Sequence, residues 1–230
     1  DIRSIENDSA EFNTNKRDNG QSIDYTNEFS IEQDNMSLFF PAHSFYRSLN
    51  FNLSIDTVEK KFSAIYRLHN RFTPVHKAFT IKIKPDSIAE NLKNKMYLAY
   101  DSGNGSGSEY YGFLSTKWYG DYISAKSRSF GNYMIKMDSI CPEIIPLNVG
   151  EGKDISAQQT IKVKIRDMET GVRYFRGTIN GRWILMEYDP KKQLLTYYYD
   201  QVIQRGENQF KLIVEDMLRN EKVYTATLVY

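Results

Sequence analysis

Three histidines, His43, His69 and His76, a single Cys141 and several turn carboxylates are the side chains through which this chain could do chemistry. Imidazoles hold zinc best from paired positions such as H-x-H or H-x-x-x-H, where two rings meet one ion. No two histidines here are separated by a single residue, and the residues four places on are Arg47, Thr73 and Thr80. A histidine zinc site is therefore not expected. Cys141 stands beside Pro142 with no histidine close in sequence to activate it, which fits a small buried or linker residue better than a nucleophile. No local pattern supports a serine-histidine-aspartate triad.

Hard oxygen ligands are better represented. Asp167 and Glu169 lie in one turn, Asp216 and Asn220 in another, and a sandwich could bring both turns to one end, where such oxygens can hold calcium. The competing reading is turn formation, because Asp and Asn side chains accept from nearby backbone amides. No D-x-[DN]-x-[DN]-G loop is present to favour the ion. A third candidate is the segment DSGNGSGSEYYGFLSTKWYGDY, where a Gly-Ser loop adjoins Tyr110, Tyr111, Trp118, Tyr119 and Tyr122. Flat rings can cover the apolar faces of sugars. Strand alternation would turn half of these rings inward, so core filling is the expected role for the set.

The elements that must position these residues are strands. Aromatic residues make up 14% of the chain, and 17 Tyr stand against 6 Pro, a composition that suits half-buried pleated surfaces. SLNFNLSI places Leu49, Phe51, Leu53 and Ile55 on one face, and AFTIKIK does the same with Phe79, Ile81 and Ile83. MYLAYD, YYGFLST and NYMIKMD continue the series to Asp138. SIAENLKNK (87–95) is the one helix candidate, a turn or two long. SICPEIIP then carries two prolines, as a connection running into an edge strand would. Beyond it, TIKVKIRD alternates Ile161, Val163 and Ile165 with charged residues, and Asn180-Gly181 marks a type I′ hairpin between YFRGTI and RWILMEYD. In RWILMEYD both alternating faces are apolar, which predicts a central strand with Trp183 as a core anchor. LLTYYYD, FKLIVED and KVYTATLVY bring the second half to about seven strands, the number of an immunoglobulin-like sandwich.

The sequence thus predicts an all-β protein of two β-sandwich domains, residues 28–138 and 139–230, the second immunoglobulin-like. Residues 1–27 are polar and without period, as in a linker or disordered segment. Thirty basic against 29 acidic residues leave a net charge of +1, too small to gather a nucleic acid by long-range attraction. No run of about 18 apolar residues is present to span a membrane, and residues 1–33 lack a signal-peptide pattern. One cysteine leaves the redox compartment open.

The run SAQQTIKVKIRDMETGVRYFRGTINGRWILMEYDPKKQLLTYYYD, with FKLIVED and the final strand, resembles the C-terminal immunoglobulin-like domain of Gram-negative lysostaphin-type (LytM-type) zinc metalloendopeptidases. LFFPAHSFY, TPVHKAFTIKIKPDSI and SFGNYMIKMDSICPEIIPLN resemble the β-domain preceding it in those proteins. The resemblance covers residues 28–230 and implies a periplasmic or cell-surface location. Such enzymes cut peptidoglycan cross-links with zinc held by H-x(3)-D and H-x-H pairs, and this chain has neither. The resemblance therefore implies a noncatalytic accessory module without cofactors of its own, zinc belonging only to an upstream catalytic domain. Its expected partners are that catalytic domain or cell-wall peptidoglycan. The alternative is an independent surface module that binds a glycan or a protein.

Overall fold

The computed structural model describes residues 20–33, 35–56, 62–86, 90–102 and 112–230. The first half contains β1 (Gln21–Ile23), β2 (Phe29–Gln33), β3 (Met36–Phe40), β4 (Leu49–Phe51), β5 (Leu53–Asp56), β6 (Ile65–Leu68) and β7 (Phe79–Ile83). After a 3-10 turn at Glu90–Lys95 come β8 (Met96–Asp101), β9 (Gly112–Leu114), β10 (Thr116–Tyr119), β11 (Tyr122–Ser127) and β12 (Gly131–Met137). The 3-10 turn lies within the helix candidate, whose residues 87–89 are outside the described set. Two five-stranded sheets, ordered β10-β11-β7-β3-β2 and β5-β6-β12-β8-β9, close on a shared core, with the pair β1-β4 beside them.

Alternation explains most of this core. Phe79, Ile81 and Ile83 on β7 are fully buried while Thr80 and Lys82 point outward. Each such aliphatic or aromatic side chain removed from water contributes about 1.5–3 kcal/mol. An aromatic cluster closes one end: the Phe130 ring lies 5.5 Å from Phe51, 5.7 Å from Phe79 and 5.9 Å from Phe45. β8 breaks the alternation, because Met96, Tyr97, Leu98 and Ala99 are all buried. Met96 and Leu98 face the shared core, whereas Tyr97 and Ala99 join Ile65 and Met134 in a smaller cluster against Leu218 of the second half.

Two expectations change in this half. Residues 20–27, assigned to a linker, contribute β1, which pairs with β4 and buries Ile23; one apolar residue in a three-residue strand leaves no period to detect. The run SLNFNLSI is two strands, not one. It divides at Asn52, whose carbonyl accepts from the His69 amide (2.7 Å), and the parts pair with β1 and β6 respectively.

The second half contains β13 (Glu143–Pro146), β14 (Lys153–Asp154), β15 (Thr160–Arg166), β16 (Val172–Ile179), β17 (Arg182–Ile184), β18 (Glu187–Asp189), β19 (Leu194–Tyr198), β20 (Glu207–Asp216) and β21 (Glu221–Val229). A four-stranded sheet, β13-β15-β19-β18, faces a five-stranded one, β14-β21-β20-β16-β17. This is the immunoglobulin-like A-B-E-D arrangement against G-F-C, with an added edge strand after C. The segment before β15 divides between the layers: β13 joins one sheet and β14 runs parallel to β21 in the other. Ile161, Val163, Ile165, Leu195, Phe210, Leu212 and Val214 fill the space between. Asn180 and Gly181 both have positive φ, 51° and 76°, as a type I′ turn requires. The chain is thus all-β in both halves, each with a sandwich core. No helix among the described residues is long and apolar enough to cross a membrane.

RWILMEYD is not a central strand. It forms edge strand β17, leaves that sheet, and enters the opposite one as edge strand β18. Ile184 and Met186 are buried, but Trp183 and Leu185 are 57% and 61% exposed, so Trp183 is no core anchor. A crossing segment has one inner side, and the second apolar set is left in solvent. The inner side is tight: a Cβ at Gly177, opposite Ile184, would come within 2.6 Å of the Met186 sulfur.

Candidate functional site

The two halves meet where β12 ends, against the 167–171 turn and the β20–β21 turn. Asp138, Asp167 and Asp216 each place a carboxylate oxygen within 4.8 Å of the other two. Asp216 is fully buried, Asp138 is 1% exposed and Asp167 is partly exposed. Each carboxylate caps a turn, because residues leaving a strand need new acceptors for their amides. Asp167 Oδ1 accepts from the amides of Glu169 (3.2 Å), Thr170 (2.8 Å) and Gly171 (2.8 Å). Asp216 Oδ1 accepts from Leu218 and Asn220, both at 2.8 Å, and its Oδ2 from the Asn220 side-chain amide at 2.5 Å. Asp138 Oδ1 accepts from the Ile140 amide (3.0 Å), and its Oδ2 from the Thr170 hydroxyl (2.8 Å).

Around this cluster, polar groups of one domain clasp the other. The Lys95 ammonium donates to the Leu218 carbonyl (3.2 Å) and to Asn220 Oδ1 (2.5 Å). The Tyr97 hydroxyl (3.0 Å) and the Lys136 ammonium (2.8 Å) both donate to Glu169 Oε2. Asn220 also donates to the Asp138 carbonyl at 3.1 Å.

Of the four residues considered for calcium, Asp167 and Asp216 are brought together. Glu169 and Asn220 stand at the same junction, but Glu169 Oε2 and Asn220 Oδ1 already accept from lysines. Asp138, the third carboxylate, was missed, since nothing in NYMIKMD sets it apart from a strand-ending polar residue. The arrangement is accounted for by turn capping and cross-domain hydrogen bonding.

The electrostatics of the junction pull in two directions. Burial raises the Asp138 pKa above the ordinary carboxylate value, aided by the Asp167 and Asp216 charges, against hydrogen bonds from Ile140 and Thr170. The hydrogen bond from Lys136 holds Glu169 below its ordinary value. A raised carboxylate pKa favours the fold below the unfolded value and loses that contribution as pH rises through the folded value; Glu169 behaves oppositely, losing its contribution on acidification. Asp138→Asn keeps the shape without the charge. Its stability relative to the parent chain is expected to rise over the pH range above the ordinary carboxylate value of 3.8. Melting temperatures across that range test this, and a pH-independent difference would contradict it.

The aromatic segment divides as strand alternation requires. Trp118 turns inward, packs on the first core and donates its indole N–H to the Lys93 carbonyl at 3.1 Å. Tyr119 and Tyr122 are cross-strand partners on the outer face, and Tyr119 is 58% exposed. Tyr110 and Tyr111 lie outside the described residues. The histidines sit apart from the carboxylates, each against an aromatic ring: His43 on Tyr25, His69 on Phe51 and Phe130, and His76 on Tyr46. Among the described residues, the Asp138 group is the one cluster of three or more metal-capable side chains. Cys141 is exposed in the connection between the domains.

No curated protein matches the chain. A solved structure described as Clostridium thermocellum CbhA fibronectin(III)-like modules is similar at 11% identity, covering 65% of this chain and 84% of that one, with a TM-score of 0.30. Residues 20–138, just over half of the chain and the whole of its first sandwich, match the model of the Zu5-like domain, a noncatalytic kind of module. By this match the chain belongs to the Zu5-like domain family.

Proposed function

We propose that this chain performs no chemistry of its own and acts as a two-domain positioning module of a cell-envelope protein. The setting is the one implied by the resemblance to lysostaphin-type endopeptidases: a periplasmic or surface accessory part that holds a zinc peptidase domain in place or meets the wall. The observation that carries the reading is the clasp of Lys95, Tyr97, Lys136 and Asp138 on Glu169, Thr170 and Asn220. Two sandwiches joined only by a linker would reorient freely. Joined by apolar packing and a polar network, they keep a fixed angle, which is what a positioning element needs. Membership of a noncatalytic family supports the same reading.

Residual dipolar couplings test it. Both domains are expected to fit one alignment tensor, and Lys95→Ala combined with Glu169→Ala is expected to separate them into two. Independent tensors in the parent chain would defeat the reading. Stoichiometric zinc binding with chelator-sensitive cleavage of peptidoglycan peptides would defeat its noncatalytic part. Retention on purified peptidoglycan would identify the wall as the surface met.

A further inference from the structure

The outer face of the β10-β11-β7-β3-β2 sheet carries an open groove of about 720 Å³. Its basic groups are Lys82, Lys117 and Lys126, drawn from β7, β10 and β11. Among the described residues, no carboxylate forms an ion pair with any of the three. The acids of this face stand at its margins: Glu32 accepts from the Ser37 hydroxyl at 2.7 Å, and Asp121 pairs with Lys84 at 3.3 Å. Ser124, largely buried, lies in register between Lys117 and Lys82, Thr80 is in register with Lys126, and Ser115 also lines the groove. The Tyr119 ring, with the Lys82 ammonium 6.0 Å from its centroid, borders the groove, and Phe39 lies along it.

We propose that this groove binds a polyuronate, a linear polysaccharide bearing carboxylates along its length. Lys117 and Lys82 both register with Ser124, so their backbones stand two strand spacings apart, roughly 10 Å. That is the scale of a charged disaccharide. The hydroxyls of Thr80 and Ser115 on the groove lining match sugar hydroxyls, and Tyr119 offers a flat ring to a sugar face. A peptide would look for a strand edge or an apolar pocket, and this is the face of a sheet. A nucleic acid would look for a strongly basic molecule, and the net charge is +1. Charge complementarity at this face goes beyond the positioning role and does not depend on the domain clasp.

Isothermal titration of the whole chain with polygalacturonate tests the proposal, with dextran, poly-glutamate and peptidoglycan fragments as competing ligands. Polygalacturonate is expected to bind, and the triple variant K82Q/K117Q/K126Q to bind about tenfold more weakly or worse, since three solvated charge contacts are lost. Added salt should weaken the parent chain more than the variant. Tyr119→Ala should weaken binding severalfold, and circular dichroism should show all variants folded. Absence of polygalacturonate binding overturns the proposal, as does binding indifferent to the lysines. Tighter binding of poly-glutamate would make the occupant an acidic protein, equal binding of uncharged dextran would remove the role of carboxylates, and equal lysine-dependent binding of peptidoglycan fragments, whose carboxylates sit on peptide stems, would move the occupant to the wall; each defeats it. Domain orientation does not enter these measurements, so this proposal and the positioning role fail separately.

Discussion

Phe130→Ala is expected to destabilise the first domain by about 4 kcal/mol, within the range for deleting a fully buried ring. Phe130 is completely buried and meets Phe40, Phe45, Phe51, Phe79 and His69 with ring centroids 5.3–6.3 Å apart. These partners come from β3, β4, β7 and the loops between strands, so no single element can move in to fill the space. Its carbonyl also accepts from the Tyr100 hydroxyl at 3.2 Å, which fixes the chain as it enters β12. Phe130→Leu keeps much of the volume and should cost about 1.5 kcal/mol. Urea unfolding measures both. A second readout comes from His69, whose pKa burial holds below the ordinary 6.5. Its contribution to stability is present above that value and lost as pH falls, and in the Ala variant water reaching the ring should return its titration towards 6.5. A loss under about 1 kcal/mol, with His69 unchanged, would mean that the aromatic cluster relaxes freely.

Asp216→Ala is the second large effect, expected at about 3 kcal/mol. The substitution strips acceptors from the Leu218 and Asn220 amides and from the Asn220 side chain. Each buried donor left without a partner costs about 1–3 kcal/mol, partly offset here by removing a charge from beside Asp138 and Asp167. The damage should spread across the junction. Leu218 packs on the Tyr97–Met134 cluster, and Lys95 is held by the same turn. Asp216→Asn retains the Oδ1 acceptor and should cost about 1 kcal/mol. Hydrogen exchange at Leu218 and Asn220 should accelerate in the Ala variant before the sandwich core opens. Unchanged protection at both amides would show that the turn closes without the carboxylate.

Much of the fold was legible because a strand with one wet face writes its burial into the sequence. AFTIKIK and TIKVKIRD are read correctly residue by residue, since each inward position is apolar and each neighbour is not. MYLAYD defeats that rule because another domain covers its outer face, and a sequence does not mark which surfaces of one sandwich meet another. RWILMEYD misleads for a different reason. Its alternation belongs to a segment that changes sheets, so the two apolar sets do not correspond to two buried faces. The site follows the same division. Asp167 and Asp216 stand out because each ends a strand and opens a turn, whereas Asp138 becomes their neighbour only when the domains dock. The lysine triad comes from three strands whose order in the sheet, β10-β11-β7, is set by long-range pairing.

The parallel pairing of β14 with β21 has a mechanical consequence. Lys153 and Asp154 register with Leu228 and Val229, and the Ile155 amide donates to the Val229 carbonyl at 2.8 Å. These segments lie near the two ends of the second domain and run in the same direction. Tension entering through the connection at 139–142 and leaving beyond Val229 therefore pulls them past one another, loading their bonds together in shear instead of unzipping them in turn. Resistance to such a pull is set by the rate of unfolding, not by equilibrium stability. A module placed between two anchored partners would, by this geometry, bear traction through a few backbone bonds at its rim while its core stayed unstrained.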